Sequence, residues 1–360
     1  MLAKYLDEDN MFALVLTCCT LQAVLEPCLY KHIIILVHQH GRIHHLLQML
    51  CARSDLARST ISFNGYLSPE FYDNSFEIRA HGIFGPYWVV LDRWKRRKAT
   101  TKVGEFRTLL LTALDNMENL RSLNLLGLDR NAWPGSLQLL EEASGHISLT
   151  SLHVGSANTF PTFPTEGRTV HSDRLMSFIR QQPLLEQLNL PKGSHSLKAQ
   201  TILPTDMPIL RSLSAMTGDA TLIVPGRPIT SVTLFQGLKH ETKDDLWKAM
   251  GASSGPLAHI TLKWTLWSGF AMDCQFIATH LPQIESLTLE SLREGEDFKR
   301  VTASLRLLGR LRNLHIDLLY SSMPVPEEHP WDDLPLACPE IEHVSITRSR
   351  FASYYFKFGS

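Results

Sequence analysis

The chain has 360 residues, 44% hydrophobic and 20% charged, with 35 basic and 36 acidic side chains and a net charge of −1. This composition suits a folded soluble protein. The near-zero charge provides no field for gripping DNA, RNA or an anionic membrane, so those partners are not expected. Six cysteines (Cys18, Cys19, Cys28, Cys51, Cys274 and Cys338) form no C-x-x-C pair, which excludes the usual zinc and redox spacings. They read as buried, reduced thiols of an intracellular protein, cytoplasmic or nuclear.

At the N-terminus, residues 11–25 are apolar, but Asp7, Glu8 and Asp9 precede them where a secretory signal needs positive charge. The stretch is also too short and too polar to span a bilayer. Leu14, Cys18, Leu21 and Leu25 fall on one helical face, Pro27 opens a new turn, and His32 to Leu36 is a β-branched run suited to a strand. A second helix–strand unit follows, Ile43 to Cys51 and then Ser59 to Phe63, so a repeat array is expected from about residue 30 onward. Between these units lie His38, His40, His44 and His45. Imidazoles so placed suit zinc or copper, but Gly41 separates the two pairs and a solvated turn is the better reading; no metal or other cofactor is expected. Residues of about 64–105 show no repeat and read as an irregular insertion. It contains the run Arg93-Trp94-Lys95-Arg96-Arg97-Lys98, either a nuclear-import signal or a solvated loop.

From residue 120 the chain writes one phrase nine times, Leu-x-x-Leu-x-Leu with Ile, Val or Ala as stand-ins. Its central residues are Leu123, Leu152, Leu188, Leu213, Val232, Ile260, Leu287, Leu314 and Val344, with gaps of 29, 36, 25, 19, 28, 27, 27 and 30. A period of about 28 lies in the leucine-rich-repeat range. The phrase alternates like a half-buried strand, and helically spaced apolar residues precede it, as in Leu175, Phe178, Ile179 and Phe298, Val301, Leu305. Leu137 and Leu140 stand before the phrase at Leu149 in the same way. Strand and helix in repetition predict an α/β leucine-rich-repeat solenoid, a horseshoe with a parallel concave sheet and convex helices. The step from Leu213 to Val232 is too short for a full helix and reads as strand and loop only. Two further loops are expected, around Phe160 to Pro164 and over 321–336.

Gly251-Ala252-Ser253-Ser254-Gly255 matches the G-x-S-x-G elbow of serine hydrolases, which requires a strand before and a helix after. Here a helix-like run, Asp244 to Met250, precedes it and a repeat strand follows, so a helix-terminating loop is expected and no enzyme activity is assigned.

The segment Leu14-Val15-Leu16-Thr17-Cys18 through Leu21, Ala23, Glu26-Pro27 and Leu29-Tyr30 to Ile33 resembles the back half of an F-box. Ala337-Cys338-Pro339-Glu340-Ile341-Glu342-His343-Val344 resembles the repeat openings of fungal F-box/leucine-rich-repeat proteins. The resemblance implies a partial F-box-like helical segment over 1–29, ahead of a solenoid over 30–360. It also implies contact with a Skp-type adaptor and a role as the substrate-recognition subunit of a cullin–RING ubiquitin ligase. The alternative is a leucine-rich-repeat interaction scaffold with no such role. The front half of the F-box, with its Leu-Pro-x-Glu helix, has no counterpart in Met1 to Asn10, which reads as a truncated or decayed motif.

Within each phrase the residues between the apolar ones point away from the core. The expected partner is a protein docked on this concave strip toward its C-terminal half, on Phe235, His259, Thr261, Lys263, Trp264, Thr288, Glu290, His315 and Asp317.

Overall fold

The computed structural model describes residues 13–35, 40–66, 105–126, 147–155, 172–190, 202–235, 243–263, 270–293, 303–319, 338–348 and 352–357. The chain forms two compact units, Met1–Leu185 and Glu186–Ser360. Both are α/β, and all nine phrases become strands. Among the described residues, no helix is long and apolar enough to cross a membrane.

In the first unit, β1 (His32–Ile35), β2 (Ser62–Tyr66), β3 (Ser122–Leu126) and β4 (Ser151–Gly155) pair in chain order, all parallel. The register aligns Ile33, Phe63, Leu123 and Leu152 in one row, each no more than 6% exposed. Helices supply the rest of this core: α1 (Cys19–Leu29), α2 (His40–Ala52), α3 (Ser54–Ser59) and α4 over residues 105–116. Leu47 and Leu50 of α2 and Phe106, Leu110, Ala113 and Leu114 of α4 are fully buried. Asn116 ties α4 to α2, its side-chain amide donating to the Leu50 carbonyl at 3.3 Å. A further helix, α5 (Ser172–Arg180), buries Leu175, Met176, Phe178 and Ile179, the face read from the sequence. Of the expected insertion, residues 64–66 belong to β2 and residue 105 lies in α4; residues 67–104, with the basic run, lie outside the described residues.

In the second unit, β5 (Gln187–Asn189), β6 (Ser212–Met216), β7 (Ser231–Phe235), β8 (His259–Lys263), β9 (Ser286–Arg293), β10 (Asn313–Leu319) and β11 (His343–Arg348) are again parallel and in chain order. Leu188, Leu213, Val232, Ile260, Leu287, Leu314 and Val344 align in a row, none more than 2% exposed. Burying a leucine of this kind contributes about 1.5–3 kcal/mol. The last strand, β12 (Ala352–Lys357), returns antiparallel against β11, which no phrase announces.

Two backbone devices repeat with the phrase. Before most of the parallel strands, one residue accepts two N–H groups from the next repeat: the Ile61 carbonyl takes those of Arg121 and Ser122 at 2.8 and 3.0 Å, and the Glu285 carbonyl those of Arg312 and Asn313 at 2.8 and 2.9 Å. A buried residue three positions before the phrase also accepts from its first residue. Leu120 donates to Met117 at 2.9 Å, Leu210 to Met207 at 3.3 Å, and Ile341 to Cys338 at 3.0 Å. Proline often follows that acceptor, at Pro183, Pro208, Pro282 and Pro339, where its fixed φ suits the first central position of a tight turn. The repeating unit is therefore longer than the Leu-x-x-Leu-x-Leu phrase.

Three sequence expectations change. The short step between Leu213 and Val232 does hold a helix, α6 (Thr217–Ile223), two turns that begin directly after β6. Its end is tied down by Arg227, whose fully buried guanidinium donates to the carbonyls of Ile223 and Leu203, while Gly226 takes φ +75°, a conformation open to glycine. Pro27 does not open a turn but lies inside α1, and Gly41 lies inside α2. Finally, Cys18 and Cys19 are exposed rather than buried, since α1 buries only Leu25; Cys274 and Cys338 are buried as expected. Of the other expected features, Leu137, Leu140, Phe298, Val301 and the loops at 160–164 and 321–336 lie outside the described residues.

Candidate functional site

The inward rows fix what lies outward. On the second unit, alternation sets three rows across the strands. The first is Gln187, Ser212, Ser231, His259, Ser286, Asn313 and His343; the second is Asn189, Ser214, Thr233, Thr261, Thr288, His315 and Ser345. All are half-buried or exposed. The third row, nearest the strand ends, is Met216, Phe235, Lys263, Glu290, Asp317 and Thr347. Side chains one strand apart in such a row stand about 4.8 Å from one another.

Chemistry concentrates in the third row. Lys263 Nζ lies 2.8 Å from Glu290 Oε1, with both side chains about one-third exposed, 31% and 33%. Asp317 follows Glu290 directly and has no hydrogen bond or ion pair with a described residue. Burial pushes its carboxyl above the usual aspartate range, and Glu290 adds to the rise while His315 opposes it. His315 is held by the next strand, its Nε2 3.1 Å from Thr347 Oγ1. The sequence thus names a cluster that the register assembles: Thr261, Lys263, Thr288, Glu290, His315 and Asp317 sit on β8–β10 within two adjacent rows. His259 joins them from the first row, exposed.

Phe235 differs. It occupies its expected place in the third row but is only 7% exposed, so its ring is already packed and presents little surface to a partner. Trp264 lies outside the described residues.

The first unit carries a more neutral face. Its rows are His32, Ser62, Ser122, Ser151 and Ile34, Asn64, Asn124, His153. Burial holds the His153 imidazole below its ordinary range, which favours its neutral form. Ile34 is 62% exposed on this face. At the N-terminal end, α1 packs Leu25 inward and Arg53 pairs with Glu26 at 3.3 Å, while Leu16 and Val24 stand 72% and 65% exposed.

The other motifs resolve structurally. Ser253 of the G-x-S-x-G match donates to backbone carbonyls of Arg227 at 2.9 Å or Ile229 at 3.0 Å and accepts from Gly255 N–H at 3.3 Å. It follows α7 (Lys243–Gly251) and precedes β8, the reverse of the hydrolase order. The motif's glycines answer to close packing: a Cβ at Gly251 would stand 2.9 Å from the His280 carbonyl oxygen, and one at Gly255 2.7 Å from the Pro228 carbonyl carbon. His280 ends α8 (Phe270–His280) and reaches Asp244 of α7 at 3.1 Å. His44 and His45 meet edge to face with ring centroids 6.2 Å apart, His40 lies on α2, and His38 lies outside the described residues. Among the described residues, no group of three or more His, Cys, Asp or Glu could hold a metal ion.

No protein-family model matches the chain, and no curated protein matches it.

Proposed function

We propose that the chain is a leucine-rich-repeat module whose concave strand face binds a protein. The observation that carries this reading is the in-register row system of the second unit. Seven consecutive parallel strands lay hydroxyl, amide, imidazole and charged groups side by side on one face, above a core of aligned Leu, Ile and Val side chains. A rigid sheet pre-orders such groups, so little conformational freedom is lost on binding. The same sheet, with helices in the connections, supports the horseshoe form of a leucine-rich-repeat solenoid. Selection of a displayed random-peptide library against the full chain tests the reading. Binders should be displaced by Thr288→Arg, which crowds the second unit's face, and retained by Asn124→Arg on the first. Binders indifferent to Thr288→Arg would exclude this face.

In its fuller form the proposal makes the chain the substrate-recognition subunit of a cullin–RING ubiquitin ligase. The resemblance of residues 14–33 to an F-box supports this, as do the exposed Leu16, in the turn before α1, and Val24, on α1, which is anchored through Leu25. Exposed apolar side chains on a short helix and the turn before it suit an adaptor interface. The chain should then co-purify with a Skp-type adaptor, and Leu16→Asp with Val24→Asp should abolish that. If the wild-type chain captures no adaptor, the plain interaction scaffold is the reading that stands.

A further inference from the structure

We infer that the second unit's strand face takes an arginine side chain of its protein partner, seated between Glu290 and Asp317. The inference rests on the proposal that this face binds a protein, and adds the chemistry of what it selects.

The argument is one of unbalanced charge. The third row runs Phe235, Lys263, Glu290, Asp317, Thr347 across adjacent strands. Its one cation, Lys263, leans onto Glu290 Oε1 at 2.8 Å. That leaves the Asp317 carboxylate without a hydrogen bond or ion pair to a described residue. His315 favours the Asp317 carboxylate electrostatically but directs its Nε2 to Thr347 Oγ1 at 3.1 Å, so it makes no hydrogen bond to Asp317 through that nitrogen. Two carboxylates one strand apart, served by a single ammonium, leave one negative charge on a partly buried surface. The Asp317 carboxyl is displaced upward chiefly by burial, with His315 opposing the rise and Glu290 adding to it, so the carboxylate is incompletely compensated for the water it has lost.

A guanidinium fits the place better than an ammonium. It presents five N–H donors in a plane, so it can address carboxylates on both sides, and it sheds water at lower cost than an ammonium does. The flanking Thr288 and Thr261 hydroxyls and His315 ring lie in the next row. They offer directional contacts for the backbone that carries the arginine.

The test uses the full chain and peptides from the displayed random library, comparing wild type with the isosteric Asp317→Asn. Wild type should enrich arginine at one peptide position, and Asp317→Asn should not. For a synthetic copy of an enriched peptide, replacing that arginine by citrulline should weaken binding about tenfold or more. Asp317→Asn should weaken the parent peptide similarly and make it indifferent to citrulline, as a double-mutant cycle requires for a direct pair. Lys263→Ala, which frees Glu290, should strengthen the arginine preference. Circular dichroism of both variants confirms that the fold persists. Peptides displaced by Thr288→Arg that bind Asp317→Asn as tightly as wild type would overturn the arginine seat while leaving the face as a binding surface. A library yielding no peptide displaced by Thr288→Arg would overturn both.

Discussion

The two units use the same backbone scheme and differ in what they hang on it. Each lays parallel strands side by side in chain order, and each buries an aligned apolar row, Ile33-Phe63-Leu123-Leu152 in the first and Leu188 through Val344 in the second. On the outward rows the first unit offers Ser, Asn, Ile34 and two histidines, and burial of His153 favours its neutral form. The second adds Lys263, Glu290 and Asp317 on consecutive strands. The lesson is that the repeat fixes the scaffold, whereas function is written at positions the repeat leaves free.

The largest expected effects come from the shared scaffold. Leu123→Ala in the first unit and Leu287→Ala in the second should each cost about 2–5 kcal/mol in denaturant unfolding. Both leucines are fully buried. In a stack of nearest-neighbour repeats, hydrogen-exchange protection should fall first in the strands adjoining each substitution, β2 and β4 or β8 and β10. Uniform loss along the whole chain would mean that neither unit behaves as a repeat array.

A device of the second unit comes next. Arg227→Met should cost about 1–3 kcal/mol, because the carbonyls of Ile223 and Leu203 lose a buried donor. A neutral outcome by thermal denaturation would show that the guanidinium does not secure the end of α6.

The smallest effect reads the charge difference itself. Asp317 has a folded-state pKa raised chiefly by burial, with His315 opposing and Glu290 adding to the rise, so the folded state holds its proton to higher pH than the unfolded state. Stability should therefore fall as pH rises from the ordinary aspartate range, about 4, through the raised folded value. Asp317→Asn should flatten that slope and stabilise the chain at neutral pH by less than about 1 kcal/mol, since solvent screens a partly exposed group. A destabilised Asp317→Asn would mean that the carboxylate already has a stabilising partner.

Much of this architecture is legible in the sequence, for a physical reason. Strand alternation has a period of two, so Leu123, Leu188, Leu287 and Leu314 announce both the strand and its buried face. The same alternation places Thr261, Lys263, Glu290, His315 and Asp317 outward. What it cannot announce is which side chains pair across strands that lie 27 residues apart, such as Lys263 and Glu290, because that depends on register. Nor does it tell what covers an outward residue, which is why Phe235 looked available and is buried. The helix α6 escaped notice because seven residues carry too few turns to show a period. The return strand β12 carries a β-prone Tyr354-Tyr355-Phe356 run but no repeat phrase to mark it.

The central claim is that the second unit's strand face, and not the first's, is the binding surface. Hydrogen-exchange mass spectrometry of the full chain, with and without the tightest peptide from the displayed library, measures this directly. The account predicts added protection in residues 286–293 and 313–319, with none in 62–66 or 122–126. Protection confined to the first unit's strands, or absent from both faces while the peptide is bound, would contradict it.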